Sequence, residues 1–242
     1  MLFGSQIFRL DSVESTNNFA AKLIEQRLCE NGALILAGIQ TSGKGQRDAI
    51  WESDSNKNIL CSYVYFPDNM SVDSLAIFNC CFSLAVITAL SQFGIGASIK
   101  WPNDILINNK KVAGILIENE ISQGQIKSMI FGLGLNVNQL LFNNHLATSM
   151  AIVQETTYDL NEVSVTISKE INQWVSYIEI NNSWIKTQYL NHLFGYQKLL
   201  RFKIWSGEVV GTINGVNDRG ELEVELKGKV ETFANKEISF LL

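Results

Sequence analysis

The sequence predicts an α+β protein, a mixed β-sheet with flanking helices followed by a small β-barrel. Three observations carry this. Apolar runs of strand length are interleaved with helical stretches up to Gly195. Beyond Gly195 the pattern changes to short alternating strands separated by Ser-Gly, Asn-Asp-Arg-Gly and Lys-Gly turns. With 242 residues, 46% of them hydrophobic, the chain can fill one large core and a small appendage.

The elements follow in order. Residues 8–13 read as a short strand. Ser15 has the character of an N-cap, with Phe19, Ala20, Leu23, Ile24 and Leu28 at helical spacing behind it. Residues 33–39 form a continuous apolar strand, residues 40–50 a polar loop bearing glycines, and residues 59–66 a strand rich in β-branched and aromatic side chains. Residues 75–93 predict a long, mostly buried helix. After the short run 97–101, Pro102 forces an extended or turn conformation on Trp101. Residues 105–107 and 112–117 then read as paired strands around Asn108-Asn109, a dipeptide tolerant of the left-handed region. Residues 126–137 predict a buried strand, residues 138–160 a polar loop, and residues 163–193 a helical stretch around Trp174, Ile178 and Trp184. The domain boundary is placed at Gly195, giving a unit of residues 1–194 and a second of 195–242.

Composition removes several function classes. The net charge is −5 and the longest basic run is Lys110-Lys111, so no nucleic-acid partner is expected. No apolar run reaches the roughly 18 residues that span a bilayer, so no membrane association is expected. Residues 1–16 lack the basic and apolar regions of a secretory signal. Cys29, Cys61, Cys80 and Cys81 show neither metal-ligand spacing nor a disulfide framework, which predicts a reducing cytoplasm. His145 and His192 alone assemble no zinc site or nucleophile relay, and both read as surface or loop residues.

The stretch KWPNDILINNKKVAGILIE, residues 100–118, places charge at the ends of strands that are otherwise apolar. Lys100, Asp104 and Lys111 there imply a charged ligand. The loop GIQTSGKG, residues 38–45, approaches the phosphate-binding pattern GxxxxGK[ST] but has Gly45 where a metal-binding hydroxyl is required. No amphipathic helix follows it to hold phosphates. Gly43 and Gly45 still permit close backbone approach, with Lys44 and Arg47 beside them for an anionic ligand. Gly132 and Gly134 mark a second close approach in a strand. The two glycine sites and the 100–118 hairpin describe one binding face at strand ends.

Together these motifs resemble the biotin–protein ligases. The resemblance rests on Ser15-Thr16-Asn17, on Gln40 with Gly43-Lys44-Gly45-Gln46-Arg47 and Trp51, and on Lys100-Trp101-Pro102-Asn103-Asp104. It continues through Lys111-Val112-Ala113-Gly114-Ile115, Gly132-Leu133-Gly134-Leu135-Asn136 and Glu237-Ile238-Ser239-Phe240. It covers nearly the whole chain, in order.

The resemblance implies a catalytic domain like that of class II aminoacyl-tRNA synthetases and an SH3-like C-terminal barrel. It implies a two-step reaction in which biotin and ATP, with Mg²⁺, give biotinyl-5′-AMP. The biotinyl group then passes to a lysine of the biotin carboxyl carrier domain of acetyl-CoA carboxylase or a related carboxylase. Carried over by position, Ser15, Thr16, Asn17 and Gln40 would bind biotin, with Gly114, Gly132 and Leu135 as walls. Lys44, Gly45, Gln46 and Arg47 would cover the activated carboxyl and phosphate, and Lys111 would sit at their junction. Trp51, Lys100, Asn103 and Asn136 would contact the nucleotide. Asp104 is a candidate for orienting or deprotonating the acceptor amine, and no residue is assigned to hold a metal. Lys44 and Gln46 stand where the family commonly has arginines and Asp48 where it has glycine, which makes this loop less positive. The family's N-terminal DNA-binding extension is not found, so no repressor role is expected. The oligomeric state stays open between monomer and homodimer. A lipoate–protein ligase, which would want a longer, narrower channel, and a catalytically silent binding module are the competing readings.

Overall fold

The computed structural model describes residues 2–46 and 49–241. Eight of its strands share one mixed sheet: β1 (Ile7–Val13), β2 (Leu34–Gln40), β3 (Ile59–Tyr65), β4 (Met70–Ser71), β5 (Ser98–Lys100), β6 (Asp104–Ile107), β7 (Lys110–Ser122) and β8 (Gln125–Leu135). They lie in the order β1-β2-β3-β8-β7-β6-β5, with β4 pairing beside them to β8. β1 and β2 run parallel, joined by the crossover helix α1 (Thr16–Glu25); the other pairings are antiparallel. Asn108 and Asn109 both take positive φ, 49° and 63°, as the two-residue hairpin between β6 and β7 requires.

The two faces of this sheet have different covers. α2 (Leu75–Gln92), α4 (Leu160–Ser176) and α5 (Asn182–His192) pack on one face over Tyr63, Phe131, Ile115 and Leu133. α1 covers only part of the other, where Ala20 and Leu23 meet Ile35, Val64 and Ile130. The remainder of that face is open to ligand. Ser15 caps α1 in extended backbone (φ −154°, ψ 135°), its side chain accepting from Asn18 N.

Several elements depart from expectation. The helical stretch 163–193 is two helices, because Asn181 leaves helical geometry and its side chain accepts from Trp184 N as a new N-cap. The polar segment 138–160 holds a short helix, α3 (Met150–Gln154), started by Ser149. Leu28 falls beyond α1, whose end is followed by Arg27 at φ 56°. α2 with the turn before it reaches 21 residues long and apolar enough to cross a bilayer, longer than the sequence reading allowed, but two-thirds of that window is buried inside the protein. This explains why it is apolar on all sides.

The C-terminal residues form a five-stranded antiparallel sheet from β9 (Leu199–Ile204), β10 (Gly207–Val216), β11 (Leu222–Leu226), β12 (Lys229–Phe233) and β13 (Ile238–Phe240), ordered β12-β11-β10-β9-β13. Its inward side chains Phe202, Ile213, Leu222 and Val224 continue the core of the large sheet. This small β domain is therefore packed on the large one through a shared apolar core.

Candidate active site

Strand alternation decides which side chains face the open cleft. Gly114 pairs with Gly134 and Leu116 with Gly132 across β7 and β8, while Leu60 and Ser62 oppose the same glycines from β3. These residues share the face that carries α1. A cleft of about 330 Å³ lies over them, bounded by the loop after β2, the Lys100–Asp104 turn and residues 235–240 of the β domain.

The glycines are required by protein side chains that press on them. A methyl on Gly134 would stand 2.7 Å from Trp51 Cδ2, and one on Gly114 only 3.1 Å from Trp51 Cζ3 and 3.2 Å from Lys111 Nζ. A methyl on Gly132 would lie 3.0 Å from Asn17 Cγ. The close approach that the sequence marks at these positions is thus made by Trp51 and Asn17. Leu135 does not line the cleft. One position out of phase with Gly134, it points into the helix-covered core and is fully buried.

One end of the cleft is a polar array. Thr16 donates to Gln40 Oε1 from both its backbone N (2.7 Å) and its Oγ1 (3.0 Å). Beneath them the buried Ser62 Oγ reaches Thr16 Oγ1 at 2.7 Å and Asn17 Oδ1 at 2.6 Å. Asn17 Nδ2 donates to Glu118 Oε2 at 2.6 Å. Ser62 and Glu118 were not anticipated. The signal for Ser62 was a lone hydroxyl inside the apolar strand ILCSYVY, since a buried hydroxyl must be bonded.

The other end is charged. Lys111 Nζ pairs with Asp104 Oδ1 at 2.6 Å and lies 5.4 Å over the Trp51 ring. Lys100 is half-buried, and desolvation lowers its pKa below the ordinary lysine range; Asp104 opposes this shift and Lys111 adds to it. Asn103 lines the cleft, but its amide nitrogen donates to Ile115 O and Ile115 N donates to Asn103 O at 3.0 Å. One N–H of that side chain is thus tied to β7. Cys61, one position out of phase with Ser62, turns into the helix-covered core, where burial pushes its thiol up to about 12, so it offers no nucleophile.

The loop over the cleft is anchored at both sides. Lys44 Nζ donates to Asn18 Oδ1 at 2.7 Å, Gln46 Oε1 accepts from Asn235 Nδ2 at 2.7 Å, and Lys44 bridges Ile50 as in a hairpin. No helix follows this loop among the described residues, consistent with rejecting a phosphate-binding P-loop. Gly45 lines the cleft beside Lys44, while Arg47 and Asp48 lie outside the described residues.

Asn136 borders a neighbouring cavity of about 420 Å³ with Ile50, Trp51, Glu52, Lys111 and Phe142. Its Nδ2 donates to Thr148 O at 2.9 Å, but its buried Oδ1 has no partner among the described residues, nor has Trp51 Nε1. Trp51 and Lys111 line both cavities and form the partition between them. His145 and His192 are exposed and stand outside both linings.

The cleft thus carries a polar array at one end and two lysines, Lys100 and Lys111, at the other. The model of the biotin/lipoate A/B protein ligase family matches residues 10–136, more than half of the chain. The chain belongs to that family, within its biotin–protein ligases, and is a ligase. It is 26% identical to the bifunctional ligase/repressor BirA of Bacillus spizizenii, over 98% of this chain and 74% of that one. It is 24% identical to the biotin–[acetyl-CoA-carboxylase] ligase of Mycobacterium tuberculosis, over 93% and 86%. A shorter match to the corresponding ligase of Paracoccus denitrificans is 34% identical over 53% of each chain. The fold is shared with the Aquifex aeolicus biotin protein ligase solved in complex with biotin and ATP, at TM-score 0.79 and 24% identity over 97% and 98% of the two chains.

Proposed function

We propose that the protein joins biotin to a specific lysine of a carboxylase biotin carboxyl carrier domain in two ATP-dependent steps through biotinyl-5′-AMP. The observation that carries the reading is the Lys111–Asp104 pair standing between the Thr16–Gln40 array and the cavity bordered by Asn136. A ligand whose polar ring meets Ser15, Thr16 and Gln40 directs its carboxylate toward Lys111. A nucleotide base beyond Trp51 meets the buried Asn136 Oδ1, which has no partner among the described residues.

In the first step the biotin carboxylate oxygen attacks the α-phosphorus of ATP and pyrophosphate leaves. Holding the two reactants in line can supply roughly 7–11 kcal/mol. A lysine about 4 Å from the developing charge adds about 4 kcal/mol at an effective dielectric near 20. Positioning and electrostatics are therefore sufficient without a general base. Asp104 is the sole carboxylate among the described lining residues of the main cleft, so Mg²⁺ would be carried chiefly by the nucleotide's phosphates.

In the second step the acceptor amine attacks the acyl carbon and AMP leaves. Deprotonating a free lysine at neutral pH costs about 4.6 kcal/mol. We assign that proton to Asp104, whose second oxygen is not used by the Lys111 pair. Asp104→Asn is expected to keep adenylate formation but to slow transfer from preformed biotinyl-5′-AMP by about 10²-fold. Single-turnover transfer at the unaltered rate would remove Asp104 from this role.

The competing lipoate reading calls for an extended channel. Asn17 against Gly132, held by Glu118, closes the polar end instead, which supports a short bicyclic ligand. We further assign catalysis to residues 1–194 and an SH3-like domain to 195–242, and place the reaction in the cytoplasm on the thiol pattern. A nucleic-acid partner finds no support in a net charge of −5. Incubation with ATP, Mg²⁺ and either biotin or lipoate should transfer only biotin to a carrier domain. Lipoate transfer at a comparable rate would overturn the choice of ligand, and binding without transfer would reduce the protein to a silent module.

A further inference from the structure

The β domain touches the Lys100–Asp104 turn at two independent points. Trp101, 4% exposed, donates from its indole Nε1 to Gly220 O at 2.9 Å, across 119 positions of sequence. Gly220 lies in the turn between β10 and β11, where its φ of +81° suits glycine. That turn is fixed by Asn217, whose side-chain oxygen accepts from Arg219 N and Glu221 N, and by the Lys186–Asp218 pair to α5. The second contact comes from β13. The Phe240 ring lies under the Lys100 ammonium, 5.5 Å from nitrogen to centroid. Phe202 and Phe194 hold that ring edge-on, at 5.3 and 6.1 Å between centroids.

The strand carrying Lys100 has few other constraints. β5 is three residues long and is the last strand of its sheet, paired on one side to β6. On its outer side Phe194 N donates to Ile99 O at 2.7 Å, where the chain passes toward the β domain. Trp101 follows β5 in the turn and is buried in the core beneath the cleft, while the half-buried Lys100 at the end of the strand lines the cleft. The β domain therefore contacts two successive residues, Lys100 and Trp101, through different elements.

We propose that Phe240 and Trp101 are positioning residues for the Lys100 ammonium, so that the C-terminal β domain sets how the ligase grips its nucleotide. The proposal rests on the reading that Lys100 contacts the nucleotide. An aromatic face under an ammonium favours a fixed position over free rotation of a long side chain. A leucine at 240 would fill similar apolar space without that attraction, whereas a tyrosine would retain it.

The test is steady-state biotinylation of a carrier domain with ATP or biotin varied. Phe240→Leu is expected to raise KM for ATP about 10-fold, the effect of a partly desolvated cation–π contact, with KM for biotin unchanged. Phe240→Tyr, which keeps the aromatic face, should recover most of the rise in KM for ATP seen with Phe240→Leu. Trp101→Phe, which removes the indole donor, should raise the same KM about fivefold, the effect of one hydrogen bond. In a Lys100→Ala background, Phe240→Leu should add nothing. An unchanged KM for ATP in Phe240→Leu, equal losses in the Leu and Tyr variants, or a full additional effect in the Lys100→Ala background would each overturn the proposal. If Lys100→Ala alone leaves KM for ATP unchanged, the positioning role fails while biotin ligation stands. Absence of ATP-dependent labelling in the parent protein would instead remove the functional reading beneath it. Melting curves separate misfolding from mispositioning, and should Phe240→Leu fail to fold, Trp101→Phe carries the same comparison.

Discussion

Lys111→Ala is expected to abolish biotin-dependent pyrophosphate–ATP exchange, with a loss on the order of 10³-fold. The figure follows from removing a unit charge about 4 Å from the reacting oxygens, about 4 kcal/mol at an effective dielectric near 20. The fold should survive. The backbone of Lys111 donates to Leu146 O at 2.7 Å and accepts from Thr148 N at 2.9 Å, and neither bond needs the side chain. The ammonium is about one-third exposed, so its pair with Asp104 contributes little to stability. A melting temperature near that of the parent together with lost exchange is the expected signature. Near-normal exchange would contradict the placement of Lys111 at the carboxylate–phosphate junction. Lys111→Arg is a useful companion, because it keeps the charge while enlarging a group that already packs against Gly114.

Gly134→Ala is the second large effect, and here both stability and turnover should fall. The added methyl meets the Trp51 indole well inside van der Waals distance. Overpacking of this kind costs about 1–3 kcal/mol. Because Trp51 and Lys111 form the partition between the two cavities, a displaced indole shifts the lysine too, and a displacement near 1 Å can cost about 10²-fold in rate. Gly96→Ala provides the contrast, since a methyl there meets nothing within 4 Å. The cause can be isolated by repeating the change in a Trp51→Ala background, where the destabilisation should largely vanish. If it persists undiminished, the indole is not what the glycine accommodates.

These residues show how far local sequence carries. Glycines in an apolar strand state that something comes close, and Gly132 and Gly134 stated it correctly. What comes close could not be named, because Asn17 and Trp51 arrive from other elements of the sheet's open face. Leu135 was a different kind of miss. The alternation of side chains along β8 already places it out of phase with the two glycines, so strand parity could have excluded it. The split between α4 and α5 was also signalled, by an Asn pair at 181–182. By contrast, the approach of Gln46 to Asn235 and of Lys100 to Phe240 depends on how two sheets dock, for which no short-range pattern exists.

The order of the large sheet has a kinetic consequence. The cleft draws on residues from Ser15 to Phe240, and its central strands β3, β8 and β7 are gathered from across some seventy positions of sequence. Contacts of such separation close slowly and late in folding, because the entropy of the intervening chain is lost before they yield any stabilisation. A partly folded chain can thus form the β6–β7 and β7–β8 hairpins early and yet have no binding site. Ligand affinity should return during refolding only in the final phase, together with the last burial of core, so that recovery of binding serves as a clock for completion of the native state.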